Sequence, residues 1–232
     1  NAFVTAIRTI AAEQQVTTLI PIAEPALLTL LPLADTFDGV RIPFASAESF
    51  RHICDKGEVA RVAAEGGNGV PRQRRLDHPS DADLLTEKTL AFPLVLKPTR
   101  SVVGEGEDRQ KVSVIHVADR KQLVAALERL PQSAFPILAQ ERIVGPGVGV
   151  FLLMQGGEPV AAFAHRRLRE KPPSAGVSVL RESIPLDPKL LDRCVELLRR
   201  FDWEGVAMIE CKVSAATGIP YIMEINGRFW GS

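Results

Sequence analysis

The chain has 232 residues, 46% hydrophobic and 24% charged, with 28 Lys plus Arg against 28 Asp plus Glu, so its formal net charge is zero. That balance argues against nucleic acid or an anionic membrane as the main partner, and no apolar run approaches the roughly 18 residues of a spanning helix. Cys54, Cys194 and Cys211 share no metal-ligand spacing and fit buried thiols in a reduced, cytoplasmic protein. No signal-peptide pattern opens the chain. It starts without Met and stops inside a motif, as a trimmed chain or fragment would.

Residues 2–13 carry Phe3, Ile7, Ile10 and Ala11 at helical spacing, and residues 16–22 read as a buried strand. Residues 24–31 form a short helix, with Pro25 suited to its first turn. Ser46 is an N-cap for a helix through Phe50, Ile53 and Cys54, and a second helix follows over about residues 57–64, ending at Gly66-Gly67. Residues 72–83 are dense in charge and read as a polar surface connection.

From Phe92 onward the pattern changes to short strands. Residues 93–98 form one, with Lys97 at its end, and a glycine-bearing loop over 101–107 follows it. Lys97 and that loop suit either a phosphate cradle or a simple turn. Residues 111–117 alternate as another strand, Asp119 and Gln122 open a helix with Leu123, Ala126, Leu127 and Leu130 on its apolar side, and residues 136–141 form a third strand. No P-loop spacing occurs, and Gly145-Pro-Gly-Val-Gly149 precedes no helix and reads as a tight strand entry.

Residues 147–155 and 158–166 read as a hairpin with a two-residue Gly156-Gly157 turn. It leads into a basic cluster of His165, Arg166, Arg167 and Arg169, in which a period of two points His165, Arg167 and Arg169 to one side. Such a cluster is either a solvated face or a set of forks for phosphate or carboxylate oxygens. A last helix is capped by Asp187, starts at Pro188 and buries Leu191, Cys194, Val195, Leu198 and Phe201.

The C-terminal stretch from Val206 to Asn226 reads as a hairpin whose register places Glu210 opposite Glu224 and Met208 opposite Asn226, with Ile222 on the face of Glu224. Two carboxylates about 5 Å apart across strands repel unless a cation lies between them. Two Glu and one Asn oxygen form a hard donor set suited to Mg²⁺ completed by phosphates. Two carboxylates on a solvated face are the plainer alternative.

The combined order resembles the ATP-grasp superfamily. The residues that carry the resemblance are a Lys in a leading helix, Lys97 in a Leu-Lys-Pro strand, the glycine loop, Gln140-Glu141, Glu210 in Val-Ala-Met-Ile-Glu, and Met223-Glu-Ile-Asn-Gly-Arg228. It covers about residues 40–232 and is similar to the branch that includes carbamoyl-phosphate synthetase. It implies an α+β fold of two subdomains clasping a nucleotide, over 41–232, with 92–140 as the small lid and 1–40 as a partial α/β domain before it.

The resemblance also implies roles. Lys56, Lys97, Ser101, Gly104 and Gly106 would hold the ATP phosphates, and Glu141, Arg142 and Ile143 would read the adenine edge. Glu210, Glu224 and Asn226 would ligate Mg²⁺, with Mn²⁺ as a substitute. Arg228, Lys212 and Arg167 would act on the transferred phosphoryl group and the substrates. Two positions depart from the family pattern: the glycine loop is acidic, and no acid follows Gly145 to bind ribose hydroxyls.

The implied activity is an ATP-dependent carboxylate ligase that forms an acyl phosphate for attack by an amine, thiol or other nucleophile. A bicarbonate-using carboxylating enzyme and a non-catalytic ATP-binding module are the alternatives. The expected partners are small carboxylate and nucleophile substrates, with no nucleic acid or membrane; self-association into a homo-oligomer is left open.

Overall fold

A computed structural model of the chain describes residues 1–86, 88–100, 102–103, 110–111, 113–171 and 177–230. It is an α+β protein built on two antiparallel sheets. The chain opens with helices α1 (Ala2–Glu13) and α2 (Glu24–Leu30), which share a small apolar cluster of Val4, Leu30 and Phe37. The strand expected over 16–22 does not form: this segment makes one parallel bridge, Thr18 to Arg41, and leaves Ile20 and Ile22 exposed. Among the described residues no further strand lies beside it to accept its backbone hydrogen bonds, and an unpaired strand cannot be buried.

Helix α3 (Ala47–Cys54) is capped by the Ser46 hydroxyl, which accepts from the Ser49 amide. Helix α4 (Lys56–Glu65) follows almost at once, and Asp55 caps it by accepting from the amides of Gly57 and Glu58. The cap ends one helix and starts the next within a single residue, so Lys56 is fixed in the first turn of α4.

The four-stranded sheet has the order β1 (Gln73–Leu76), β6 (Ile137–Glu141), β2 (Leu94–Pro98), β5 (Ile115–Val117). Strand β1 lies in the stretch read as a polar connection. It is an edge strand that buries Leu76 while Arg74 and Arg75 stay in solvent, so its composition resembles a loop. The strand expected over 111–117 is divided: β4 (Gln110–Lys111) pairs with β3 (Val102–Val103), and β5 begins only at Ile115. Helix α5 (Arg120–Arg129), capped by Asp119, crosses between β5 and β6 and buries Leu123 and Leu127.

The larger sheet has the order β11 (Pro220–Asn226), β10 (Gly205–Val213), β7 (Gly147–Gln155), β8 (Glu158–Lys171), β9 (Val177–Ile184). Gly156 and Gly157, both at positive φ, make the expected tight turn between β7 and β8. On one face Val148, Val150, Leu152, Ala207, Ile209, Cys211 and Ile225 pack against Phe50, Trp203, Cys194 and Leu198 from α3, from helix α6 (Pro188–Arg199) and from the chain after it. The opposite face is polar near β11 and aromatic toward β8, and the site lies there.

Candidate functional site

The cross-strand pair forms as the alternation predicts: Glu210 is directly opposite Glu224, and Met208 is opposite Asn226. One detail differs. A bulge after Glu210 pairs Cys211 with Ile222, so Met223 is the extra residue and Ile222 turns to the core face, where it is 3% exposed. Of the apolar neighbours expected on this face, Ile222 is therefore on the other side of the sheet, while Met208 stays beside Glu210. Cations supply the compensation instead.

Arg167 on β8 reaches across β7 and grips Glu210 with both arms, Nη1 to Oε1 at 2.9 Å and Nη2 to Oε2 at 2.5 Å. It can do so because β7 has glycine at the crossing. A Cβ on Gly147 would lie 2.9 Å from Arg167 Cδ. The guanidinium is only 12% exposed, and Glu170 approaches the same Nη1 at 3.5 Å. Glu170 is brought there by bulges in the β8–β9 pairing between Arg167 and Glu170. Those bulges break the expected period at Arg169, which is exposed; His165 is buried, Arg167 points into the site, and Arg166 pairs with Glu182 on the opposite face.

Glu224 is compensated from a different element. Lys56 Nζ on α4 lies 3.6 Å from its Oε2, and the Asn226 amide donates to its Oε1 at 3.3 Å. Arg228 donates to Asn226 Oδ1 at 3.3 Å. Gly227, between them, has no room for a side chain: a Cβ would come within 2.2 Å of both Ile53 and Trp203. Packing against the core thus sets where Asn226 and Arg228 project.

The electrostatics divide the pair. Burial and the facing Glu224 charge push the Glu210 carboxyl upward, against the pull of Arg167 and Lys97. Burial would raise Glu224 as well, but Lys56 and Lys97 outweigh it and hold that carboxyl low. Lys97, on the second sheet, is pushed down by its own burial while both glutamates and the neighbouring Lys56 and Lys212 act on it. Lys97, Lys212 and the glutamate pair therefore occupy one electrostatic neighbourhood. Lys56, Lys97 and Arg167 all act on the opposed pair, with Lys212 beside Lys97, so cations from α4 and from both sheets converge on two carboxylates. That convergence of cations suits phosphate oxygens. Among the described residues no three His, Cys, Asp or Glu side chains form a metal cluster; the donor set here is two carboxylates and an amide oxygen, all hard ligands.

Facing this, one cross-strand row of the smaller sheet runs Gln73, Gln140, Val95, His116. Gln140 is 2% exposed and its Nε2 donates to Gln73 Oε1 at 2.5 Å, but its Oε1 and the buried His116 Nε2 have no partner among the described residues. Burial also pushes the His116 imidazole downward, toward its neutral form. Buried polar atoms left in this way suit a polar ligand that completes them. Glu141 ends β6 with its carboxylate accepting from the Arg72 amide at 2.8 Å and Nε at 3.0 Å, after which Arg142 is exposed and Ile143 half-buried. Ser101, Gly104 and Gly106 lie outside the described residues.

Several neighbours were not singled out from the sequence. Glu24, from α2, lines a cavity of about 20 Å³ with Cys54, Lys56, Glu224 and Arg228. The Cys54 thiol there is pushed up to about 12 by burial and by Glu24, which makes it a poor nucleophile. Gln73, Asp55 and Glu170 also belong to the surroundings. The Asp-Lys dipeptide at a helix start was a usable signal for Asp55; Glu170 depends on bulges that no pattern announces.

No protein-family model matches the sequence, and no curated relative matches it. The fold, however, matches solved structures. A Campylobacter jejuni biotin carboxylase–β-γ-ATP complex superposes with a TM-score of 0.78 at 18% identity, over 98% of this chain and 52% of that one. The biotin carboxylase domain of Hydrogenobacter thermophilus 2-oxoglutarate carboxylase, in complex with MgADP and bicarbonate, gives 0.76 at 15%, over 98% and 51%. An L-amino acid ligase from Bacillus licheniformis gives 0.70 at 19%, over 97% and 52%. The chain thus spans about half the length of these proteins. With two antiparallel sheets, the lysines on α4 and β2, and an acidic hairpin between them, the chain has the ATP-grasp fold.

Proposed function

We propose that the protein is an ATP-dependent carboxylate ligase in which the two sheets act as jaws on a nucleotide. The observation that carries this reading is the opposed pair Glu210 and Glu224, clasped by Arg167 and Lys56 with Lys97 acting on both. Glu210, Glu224 and Asn226 would hold Mg²⁺, or Mn²⁺, which when bound supplies charge neutralisation at the β- and γ-phosphates. Lys56 and Lys97 receive phosphate oxygens, and Gln73, Gln140 and His116 complete their hydrogen bonds on the base side. Asn226 and Arg228 leave the hairpin at the end where the γ-phosphoryl group meets the acid.

Chemistry follows from positioning and charge. A carboxylate oxygen attacks the γ-phosphorus, the bond to the β-bridging oxygen breaks, and ADP leaves. The acyl phosphate is then attacked at its carbonyl carbon by an amine or thiol, which loses a proton as phosphate departs. Arg228 and Lys212 offset the charge that develops on the transferred phosphoryl oxygens. Arg167 offers a planar fork to the incoming carboxylate once Glu210 is engaged elsewhere. The likeness to biotin carboxylases favours one second reading, bicarbonate as the activated acid, which shares the first step.

The test is thermal unfolding of the natural full-length protein with Mg-ATP, followed by ADP release with a panel of carboxylic acids. Stabilisation at saturating Mg-ATP and acid-dependent ADP release are expected. Absence of both ends the proposal, and ADP release driven by bicarbonate alone selects the second reading.

A further inference from the structure

One strand repeat from the Glu210 row, roughly 7 Å along the same face, the chemistry changes abruptly. The row Glu210, Gly149, His165 is followed by the row Met208, Phe151, Phe163. Phe151 lies on the open side of the sheet yet is only 2% exposed, because other rings close around it. Phe163 stacks on it at 4.2 Å with a 5° interplanar angle, Trp230 leans on it at 4.3 Å, and His165 meets it edge-on at 4.7 Å. Phe229 extends the set beyond Trp230 at 6.2 Å.

Phe151, Phe163 and Trp230 are not part of the main core, whose residues lie on the opposite face, while Phe229 also meets Phe44 at the edge of that core. The outer rings of the cluster are open: Phe163 is 48% and Phe229 38% exposed. His165, itself 4% exposed, has an Nε2 without a partner among the described residues; that atom lies 2.9 Å from where a Gly149 Cβ would be. The Phe151–Phe163 stack is a cross-strand pair that stabilises the sheet by itself, and its open outer face offers a flat apolar surface beside the charged row. A ligand with an acid at one end and a flat apolar group at the other would use both, since Trp230 is two residues beyond Arg228 and the shelf is one row from Glu210, which the Arg167 fork holds.

We propose that this ring shelf is the subsite for an aromatic or large planar apolar group of the carboxylate substrate, with the acid group directed to Arg228 and Arg167. The assignment rests on the ligase reading for its catalytic consequence, but not for the binding itself. Stacking on preformed rings selects aryl acids over short-chain acids, whereas the charged row would accept either.

Acid-dependent ADP release by the natural full-length protein is compared for phenylacetate, 3-phenylpropionate and L-phenylalanine against acetate, propionate and L-alanine. The aryl acids should show kcat/KM at least about tenfold higher, the equivalent of one stacking contact. Phe163→Ala, at a half-exposed position, should raise KM for the aryl acid about tenfold while KM for ATP stays the same. Binding is read separately by fluorescence: 3-phenylpropionate should quench Trp230, and the quench should vanish in Trp230→Phe but persist in Trp203→Phe, whose ring is 1% exposed. Equal rates for the two acid sets, or no effect of Phe163→Ala, overturn the shelf and leave the ligase reading intact. A quench without any ADP release upholds the shelf and overturns the ligase reading. Absence of both quench and selectivity ends the proposal.

Discussion

The hairpin β10–β11 and the row Gln73, Gln140, His116 on the smaller sheet face the same space in opposite electrostatic states. On the hairpin both carboxylates are already answered: Glu210 by Arg167, Glu224 by Lys56 and Asn226. On the sheet, Gln140 Oε1 and His116 Nε2 are buried without partners among the described residues. The contrast teaches that the two surfaces are prepared in different ways. Two like charges fixed across strands by register would push the sheet apart, so their partners are part of the fold. Neutral polar atoms cost less to leave waiting, so theirs need arrive only with the ligand.

Breaking the hairpin should therefore damage both stability and function, while breaking the row should damage only binding. Glu224→Gln tests the largest effect. It keeps the shape but removes one ligand charge, and ADP release should fall about 100-fold or more; unchanged turnover would remove Glu224 from the mechanism.

Arg167→Met comes next. It leaves Glu210, 17% exposed, facing Glu224 with one cation fewer, and should cost roughly 2–3 kcal/mol in urea unfolding, somewhat less than a fully buried pair. The double variant with Glu210→Gln should recover most of that loss, and added Mg²⁺ should recover part of it in the single variant.

A pH series separates the two glutamates. The folded Glu210 carboxyl is raised above its ordinary 4.5, so the folded state holds more protons just above that pH and stability falls as pH rises through the window. Glu224 is lowered from 4.5, so its contribution is present above that pH and is lost as pH falls through its folded value. Glu210→Gln should flatten the decline above pH 4.5 and leave the acid limb, whereas Glu224→Gln should remove the acid limb and, by taking away the facing charge, also weaken the decline; denaturant midpoints across pH 3 to 7 read both.

Gln140→Leu should show the smallest effect on the free protein. It gives up the bond to Gln73 but also removes an unpartnered oxygen, and the unfolding free energy should change by less than about 1 kcal/mol. Nucleotide affinity in calorimetry should still fall about tenfold. Equal damage to stability by Gln140→Leu and Arg167→Met would erase the distinction between the two surfaces.

Alternation was enough to place Glu210 opposite Glu224 and Met208 opposite Asn226, because a hairpin's register follows from its pleat and turn. Capping chemistry likewise set α3, α5 and α6 at Ser46, Asp119 and Asp187. Where local pattern is the cause of local structure, one sequence suffices.

The rest depended on what lies opposite in space. Strand β1 could not be recognised because an edge strand may be as charged as a loop. Residues 16–22 look like a strand but have no partner strand among the described residues. The bulges at Met223 and after Arg167 turn Ile222 inward, bring Glu170 to Arg167 and leave Arg169 in solvent. A single extra residue reverses which face a side chain takes, and only the packing of the neighbouring strand decides whether that residue is accommodated. The sequence by itself determined the opposed acids and the helices around them; the tertiary structure decided which cations answer those acids, since an ion pair between β8 and β10 spans another strand and leaves no mark on the local periodicity.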